Sequence, residues 1–167
     1  MAESKQKQSA ALIIERFGPI LIGLLVLAAL LYYRVSISLM FSNGGWQSAG
    51  LYTAIFDWSA IQTGFAFGVY GFVIGKADGF VAKIKGTKAM ERFVSYIKRA
   101  NVIGFFLTIS SIPLIVINPE IKQDAIYSYY IVAIWFSIFV WSFMAFLRLA
   151  YNFGILASVK DKPFHGA

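Results

Sequence analysis

Residues 50–75 read GLYTAIFDWSAIQTGFAFGVYGFVIG, and this stretch decides the fold. As a helix rising about 1.5 Å per residue, it is long enough to cross the roughly 30 Å hydrocarbon core of a bilayer. Asp57 is its only charged residue, and most of the others are apolar or small. The stretch therefore predicts a transmembrane helix.

Three comparable apolar stretches flank it, at about residues 18–41, 101–117 and 126–147. The 167 residues are 59% hydrophobic and only 14% charged, whereas about 25% of the residues of a soluble domain are charged. We therefore expect an all-α membrane protein in which residues 1–167 form a single domain of four transmembrane helices. A cleaved signal peptide is the competing interpretation of the first stretch, but that stretch exceeds the roughly 7–15 apolar residues of such a peptide.

The basic residues are distributed unevenly about these four spans. Three precede the first span, seven lie between the second and third, and three follow the fourth. Only Arg34 and Lys122 fall on the other side, so thirteen of the fifteen basic residues share one side. Because cytoplasmic segments are enriched in Lys and Arg, we expect both termini to lie in the cytoplasm.

The basic segment 76–99 joins the second and third spans. Its apolar residues recur at helical spacing, which predicts amphipathic cytoplasmic helices divided at Gly86. One interpretation is that its charges set the topology and attract anionic lipid. The other is that they bind an acidic cytosolic protein. Direct nucleic-acid binding is not expected, because these charges lie against an anionic membrane. The candidate docking residues are Lys83, Lys85, Lys88 and Arg92.

A row of small and polar residues, spaced three or four apart, follows one face of the second span: Thr53, Asp57, Ala60, Gly64, Gly68, Gly71 and Gly75. Small residues at this spacing allow two helices to approach closely within a membrane. One interpretation is that the face packs this span against its neighbours within the four-helix unit. The others are an interface between subunits of a homo-oligomer, such as a tetramer, and a pore-lining face.

Three polar residues within the predicted spans are candidate functional residues: Asp57, Gln62 and Thr108. An intramembrane carboxylate is costly and often functional. Asp57 could attract cations or protons at an outer vestibule, or it could only pair near the headgroups, for example with Arg34. Thr108 shares a stripe with Asn101, Gly104 and Ser111, from which hydrogen bonds could reach the second span.

Several chemistries are excluded by residue types that the chain lacks. It has no cysteine and one histidine, His165, which excludes a thiolate metal site, a disulfide framework and bis-histidine haem ligation. No catalytic constellation is recognisable. We therefore expect no catalytic residue, no metal, no cofactor and no enzymatic activity.

The order of these features resembles a known family along the whole chain. Small four-helix multidrug transporters carry a glutamate in their first span, whereas this chain has its acid in the second (FDWSAIQTGFAFGVYG) and a long basic loop. The lysine-rich start, glycine-striped second span, basic linker and short tail resemble the transmembrane subunit of the Kiwa anti-phage defence system. This resemblance implies a location in the bacterial inner membrane. It also implies an oligomeric membrane sensor that recruits or restrains a DNA-binding effector during phage attack.

Two functions are therefore expected from the sequence. The first is an oligomeric sensor or anchor subunit that holds a cytosolic effector through the basic segment. The alternative is a small oligomeric ion channel or transporter with Asp57 at its outer mouth.

Overall fold

The computed structural model describes residues 2–44, 46–76 and 79–159, with side chains from residue 17 onward. Six α-helices make up most of these residues, and no strand occurs among them. The all-α prediction is confirmed. In chain order, the helices are α1 (Ala2–Tyr32), α2 (Arg34–Ser42), α3 (Ser48–Gly75), α4 (Gly79–Ile84), α5 (Lys88–Ile117) and α6 (Ile126–Ser158).

Two helices in the described part of the chain, α5 and α6, are long and apolar enough to cross a membrane. A third candidate consists of α1 from Phe17 onward together with α2, which are bent by 71° relative to each other. Although α3 has 28 residues, its glycine, serine, threonine and glutamine residues lower its mean hydropathy, and it does not join this group. The structure thus shows two or up to three helices that could span a membrane.

The predicted first span, 18–41, is not one straight helix. The chain breaks at Tyr33 and continues as α2 from Arg34. At the end of α1, the hydroxyl of Tyr129 donates a 2.5 Å hydrogen bond to the carbonyl of Leu30. This side chain from α6 satisfies a carbonyl of the last turn of α1, where the intrahelical bonds run out.

The helices pack mainly as two pairs, α3 with α5 and α1 with α6, and α5 joins the pairs by packing against α6. Two apolar clusters hold α3, α5 and α6 together. Core members of the first are Val73, Val81, Met90, Phe93, Ile97, Ala145 and Leu149. Core members of the second are Tyr52, Ile55, Leu107, Leu114, Tyr129, Val132 and Trp135.

Large apolar side chains also cover the outside of the bundle. Leu25 on α1 is 70% exposed and Val116 on α5 is 78% exposed, and similar residues project from α3 and α6. Soluble proteins rarely expose contiguous apolar surface on this scale. The exterior is therefore suited to lipid, in agreement with the membrane localisation that the sequence predicts.

The basic linker is helical and amphipathic. The second of its two predicted pieces forms the first turns of α5, which run without a break into the predicted third span. The Thr87 side chain caps α5 by accepting a 3.3 Å hydrogen bond from the Met90 backbone N–H. Val81 and Met90 are buried in the first apolar cluster, so the apolar face of the linker packs on the bundle.

The opposite end of the bundle is closed by the short loop between α5 and α6. Asn118 ends α5 in the left-handed conformation, with φ of 45°. The Tyr52 hydroxyl on α3 donates a 2.9 Å hydrogen bond to the Pro119 carbonyl. Glu120 and Lys122 form an exposed ion pair, and the hydrogen bond that the Lys122 ammonium donates to this carboxylate raises the pKa of Lys122.

Candidate functional site

The row of small residues on α3 takes no part in packing the chain. Ala60, Gly64, Gly68, Gly71 and Gly75 are all exposed. A Cβ added at any of the four glycines would meet nothing within 4 Å among its neighbours. The interpretation that this face packs α3 within the four-helix unit is therefore wrong for the glycines. We call Ala60, Gly64, Gly68, Gly71 and Gly75 the glycine face.

Close helix approaches occur instead at two glycines outside that face. A Cβ on Gly104 of α5 would lie 2.6 Å from Thr63 Oγ1 and 3.1 Å from Gln62 Nε2. A Cβ on Gly23 of α1 would lie 3.0 Å from the Trp141 Cβ and 3.1 Å from the Ser137 carbonyl oxygen. These two contacts set the spacing of α3 from α5 and of α1 from α6.

Asp57 lies in register with the glycine face and is exposed. It has no hydrogen-bond or ion-pair partner in the described part of the chain, so the alternative that it pairs with Arg34 is not observed. It lies five residues beyond Tyr52, whose hydroxyl marks the loop level, and therefore about 7.5 Å deeper along the helix. The carboxylate thus projects from the bundle a short distance inside the end at which the loop between α5 and α6 lies.

Gln62 points the opposite way, into the bundle, where it begins a polar layer between the two apolar clusters. It is fully buried, and its Nε2 donates a 2.6 Å hydrogen bond to Ser142 Oγ on α6. Thr108 Oγ1 on α5 lies 3.0 Å from Ser59 Oγ on α3. The Trp135 indole N–H donates a 3.1 Å hydrogen bond to Ser111 Oγ. Hydrogen bonds between side chains therefore connect α3, α5 and α6.

Some polar atoms of the bundle interior remain without a hydrogen-bond partner among the described residues. They are Gln62 Oε1, Trp58 Nε1 and Asn101 Oδ1. Within the described ranges, no group of three or more His, Cys, Asp or Glu side chains is placed to hold a metal ion. The polar layer fixes helix register through neutral groups, and its geometry offers neither a nucleophile with a base nor a metal-ligand set.

The candidate docking residues Lys83, Lys85, Lys88 and Arg92 are all exposed, on and beside α4 and the start of α5. Lys85 Nζ also donates a 2.9 Å hydrogen bond to the Ile74 carbonyl, near the end of α3. This contact satisfies a terminal carbonyl of α3 with a cation, which also suits the helix dipole. The basic surface is therefore held against the end of the bundle.

Two structural roles were not predicted from the sequence. Ser142 is an isolated serine within an aromatic-rich helix, and nothing near it in the sequence marks it as the partner of Gln62. Arg148 is one of the three basic residues that follow the fourth predicted span, and its guanidinium stacks on the Tyr96 ring, 3.9 Å from the centroid. The only sequence signal for this contact is that Arg148 lies at helical spacing from buried residues of α6.

Comparisons with protein-family models, with curated proteins and with solved structures find no match to this chain.

Proposed function

We propose that this chain is a four-span subunit of the bacterial inner membrane with both termini in the cytoplasm. The packing of α3 supports the count of four. One end of α3 is tied to the loop after α5 by Tyr52, and Val73 near its other end shares a cluster with Met90 and Phe93 of α5. Because α3 runs antiparallel along the length of α5, a bilayer crossed by α5 is also crossed by α3.

The subunit assembles with further copies of itself through the glycine face. The observation that carries this proposal is that Gly64, Gly68, Gly71 and Gly75 are exposed with open space beside them. In a membrane, rows of small residues associate helices because they let backbones make close van der Waals contact. Helices that cross at Gly64 and Gly68 diverge towards their ends. Asp57 would then face a wider, hydrated opening between copies, where a carboxylate is far less costly than in lipid.

The cytoplasmic end anchors an acidic protein, and the subunit acts as a membrane sensor for that effector. Lys83, Lys85, Lys88 and Arg92 form an exposed basic surface whose backbone is fixed by the packing of Val81 and Met90. Such a surface attracts acidic groups over distances of about the Debye length. The layout resembles the Kiwa transmembrane subunit, which favours a role in anti-phage defence.

Cysteine cross-linking tests the self-association. The chain has no cysteine, so Gly64→Cys or Gly68→Cys introduces a single thiol on the glycine face. Either variant should give a disulfide-linked dimer in oxidised membranes. Phe105→Cys is the matched control, because Phe105 is exposed on α5 next to Gly104, which contacts α3 at Gln62. Cross-linking of Phe105→Cys with none at Gly64→Cys or Gly68→Cys would place the interface elsewhere.

A pull-down tests the anchor role. Reversal of the four charges by K83E, K85E, K88E and R92E should abolish co-purification of a cytosolic protein from detergent extracts. The control reverses two other basic residues of the chain, K160E and K162E, and should retain the partner. Failure of the wild-type chain to retain any partner would contradict the anchor role without affecting the cross-linking result.

The second candidate function is a cation channel along the assembled glycine faces. Asp57 favours it, because this exposed carboxylate lies in register with the glycine face near the outer end of the bundle, and rings of carboxylates select cations. Wild-type protein in liposomes should then conduct monovalent cations, and Asp57→Asn should reduce that flux at least several-fold. Equal flux from wild type and Asp57→Asn would remove Asp57 from any conduction path.

A further inference from the structure

A groove between α1 and α5, closed at the back by α6, contains three cationic residues. It has a volume of about 480 Å³ and is lined by Lys98, Arg99 and Arg148 together with apolar residues. This volume is within the range of about 300–1,000 Å³ typical of small-molecule sites. No acidic side chain is among the described residues that line it.

The three cations converge from two helices at one end of the bundle. Lys98 and Arg99 are exposed on α5, and Arg148 is half-buried on α6. The Tyr96 ring lies 3.9 Å from the Arg148 guanidinium carbon, which holds this group by cation–π stacking. Because like charges repel, three cations with no acid among the described lining residues favour an anionic occupant.

The walls of the groove specify what kind of anion it holds. Pro19 and Ile20 of α1 lie on one side, and Val102 and Ile103 of α5 lie on the other. In the direction of the chain, Val102 and Ile103 are deeper in the predicted membrane than Lys98 and Arg99. The groove therefore has a cationic part at the cytoplasmic headgroup level and an apolar part at the acyl-chain level.

We propose that this groove binds one anionic glycerophospholipid of the cytoplasmic leaflet. Lys98, Arg99 and Arg148 contact the headgroup phosphate, and an acyl chain lies between Ile20 and Val102. Basic pockets between transmembrane helices on the cytoplasmic side bind anionic headgroups in this way. The site is separate from the docking residues 83–92 and from the glycine face. Its assignment to the cytoplasmic leaflet rests on the topology proposed above, but not on the proposed self-association or on the anchor role.

Native mass spectrometry of the detergent-purified full chain, titrated with phosphatidylglycerol, tests the site. Wild-type chain should retain one phosphatidylglycerol, and K98Q/R99Q should bind it about thirtyfold more weakly (about 2 kcal/mol at 1.4 kcal/mol per tenfold). K88Q/R92Q removes two charges from the same helix outside the groove, and it should bind like wild type. Equal losses in the two variants would show diffuse attraction and overturn the proposal.

Three further measurements separate a lipid from other anions. Phosphatidylcholine should not replace phosphatidylglycerol, and millimolar inorganic phosphate should not displace it, because neither offers both an anionic headgroup and acyl chains. Val102→Trp fills the apolar part while leaving all three cations, and it should also abolish lipid retention. Unchanged retention by Val102→Trp, or displacement by inorganic phosphate, would contradict a phospholipid site.

Discussion

The buried amide of Gln62 donates a 2.6 Å hydrogen bond to the hydroxyl of Ser142, across the interface of α3 and α6. Both side chains are fully buried. They lie between the apolar cluster containing Val73 and Leu149 and the one containing Tyr52 and Trp135. Apolar contacts tolerate sliding of one helix along another, whereas this hydrogen bond forms at only one register. Gln62 and Ser142 therefore define how α3 is placed against α6.

Ser142→Ala should lower the free energy of unfolding by about 1–2 kcal/mol, because it leaves the buried Gln62 amide without its partner. Titration of the purified protein from a mild detergent into SDS, followed by circular dichroism, measures this change. Ser158→Ala is the control on the same helix, since Ser158 is exposed and bonds only to Ile155 of its own helix. Equal stability of Ser142→Ala and wild type would show that the hydrogen bond does not contribute.

Gly104→Ala should destabilise the chain, whereas Gly64→Ala should not. At Gly104 the new methyl would lie 2.6 Å from Thr63 Oγ1, which is held by a 2.7 Å hydrogen bond to the Ser59 carbonyl. We expect a loss of about 1–3 kcal/mol, as for other overpacked sites. At Gly64 there is open space, so alanine should leave stability unchanged or raise it by up to about 1 kcal/mol.

A larger substitution at Gly64 separates folding from assembly. Gly64→Leu should leave the unfolding transition of the chain in place but reduce the dimer fraction measured by cross-linking or single-molecule photobleaching. A dimer fraction equal to that of wild type would exclude the glycine face as the interface. Loss of folding in Gly64→Leu would show instead that the face packs within the chain.

The helix α1 offers a comparable contrast, between Gly23 and Gly18. Gly23→Ala places a methyl 3.1 Å from the Ser137 backbone carbonyl, which cannot move without shifting α6. Gly18→Ala meets nothing within 4 Å and gains helix propensity. We expect Gly23→Ala to lower the unfolding midpoint and Gly18→Ala to keep or raise it. If both substitutions lowered the unfolding midpoint to the same extent, neither the close contact at Gly23 nor the gain in helix propensity at Gly18 would explain the result.

Hydropathy and helical periodicity predicted the all-α architecture from the sequence. Spacing of three and four placed Gly64, Gly68 and Gly71 on one face of a helix, and the structure has them there. Spacing cannot show which helix a face meets, because that depends on tertiary packing. Of the two glycines that do make close contacts, Gly23 is isolated in the sequence and no repeated small-residue pattern marks it. Gly104 belongs to the stripe with Asn101, Thr108 and Ser111, but that spacing alone does not show how closely α3 approaches it.

The break between α1 and α2 is another feature that the local sequence pattern does not predict. The apolar pattern runs on past Tyr33, and neither proline nor glycine lies there to end the helix. The end of α1 is stabilised by Tyr129, a residue 99 positions away that bonds to the Leu30 carbonyl. The Gln62–Ser142 bond spans 80 positions. Such contacts are set by the folded arrangement of helices and leave no local signal.

Labelling of single cysteines in spheroplasts tests whether α3 crosses the membrane. Asn43→Cys precedes α3, Lys85→Cys follows it, and Gln123→Cys lies in the loop between α5 and α6; all three positions are exposed. If α3 spans the bilayer, a membrane-impermeant maleimide should label Asn43→Cys and Gln123→Cys in intact spheroplasts. Lys85→Cys should react only after permeabilisation. Labelling of Asn43→Cys and Lys85→Cys from the same side would show that α3 does not cross, and would reduce the protein to fewer than four spans.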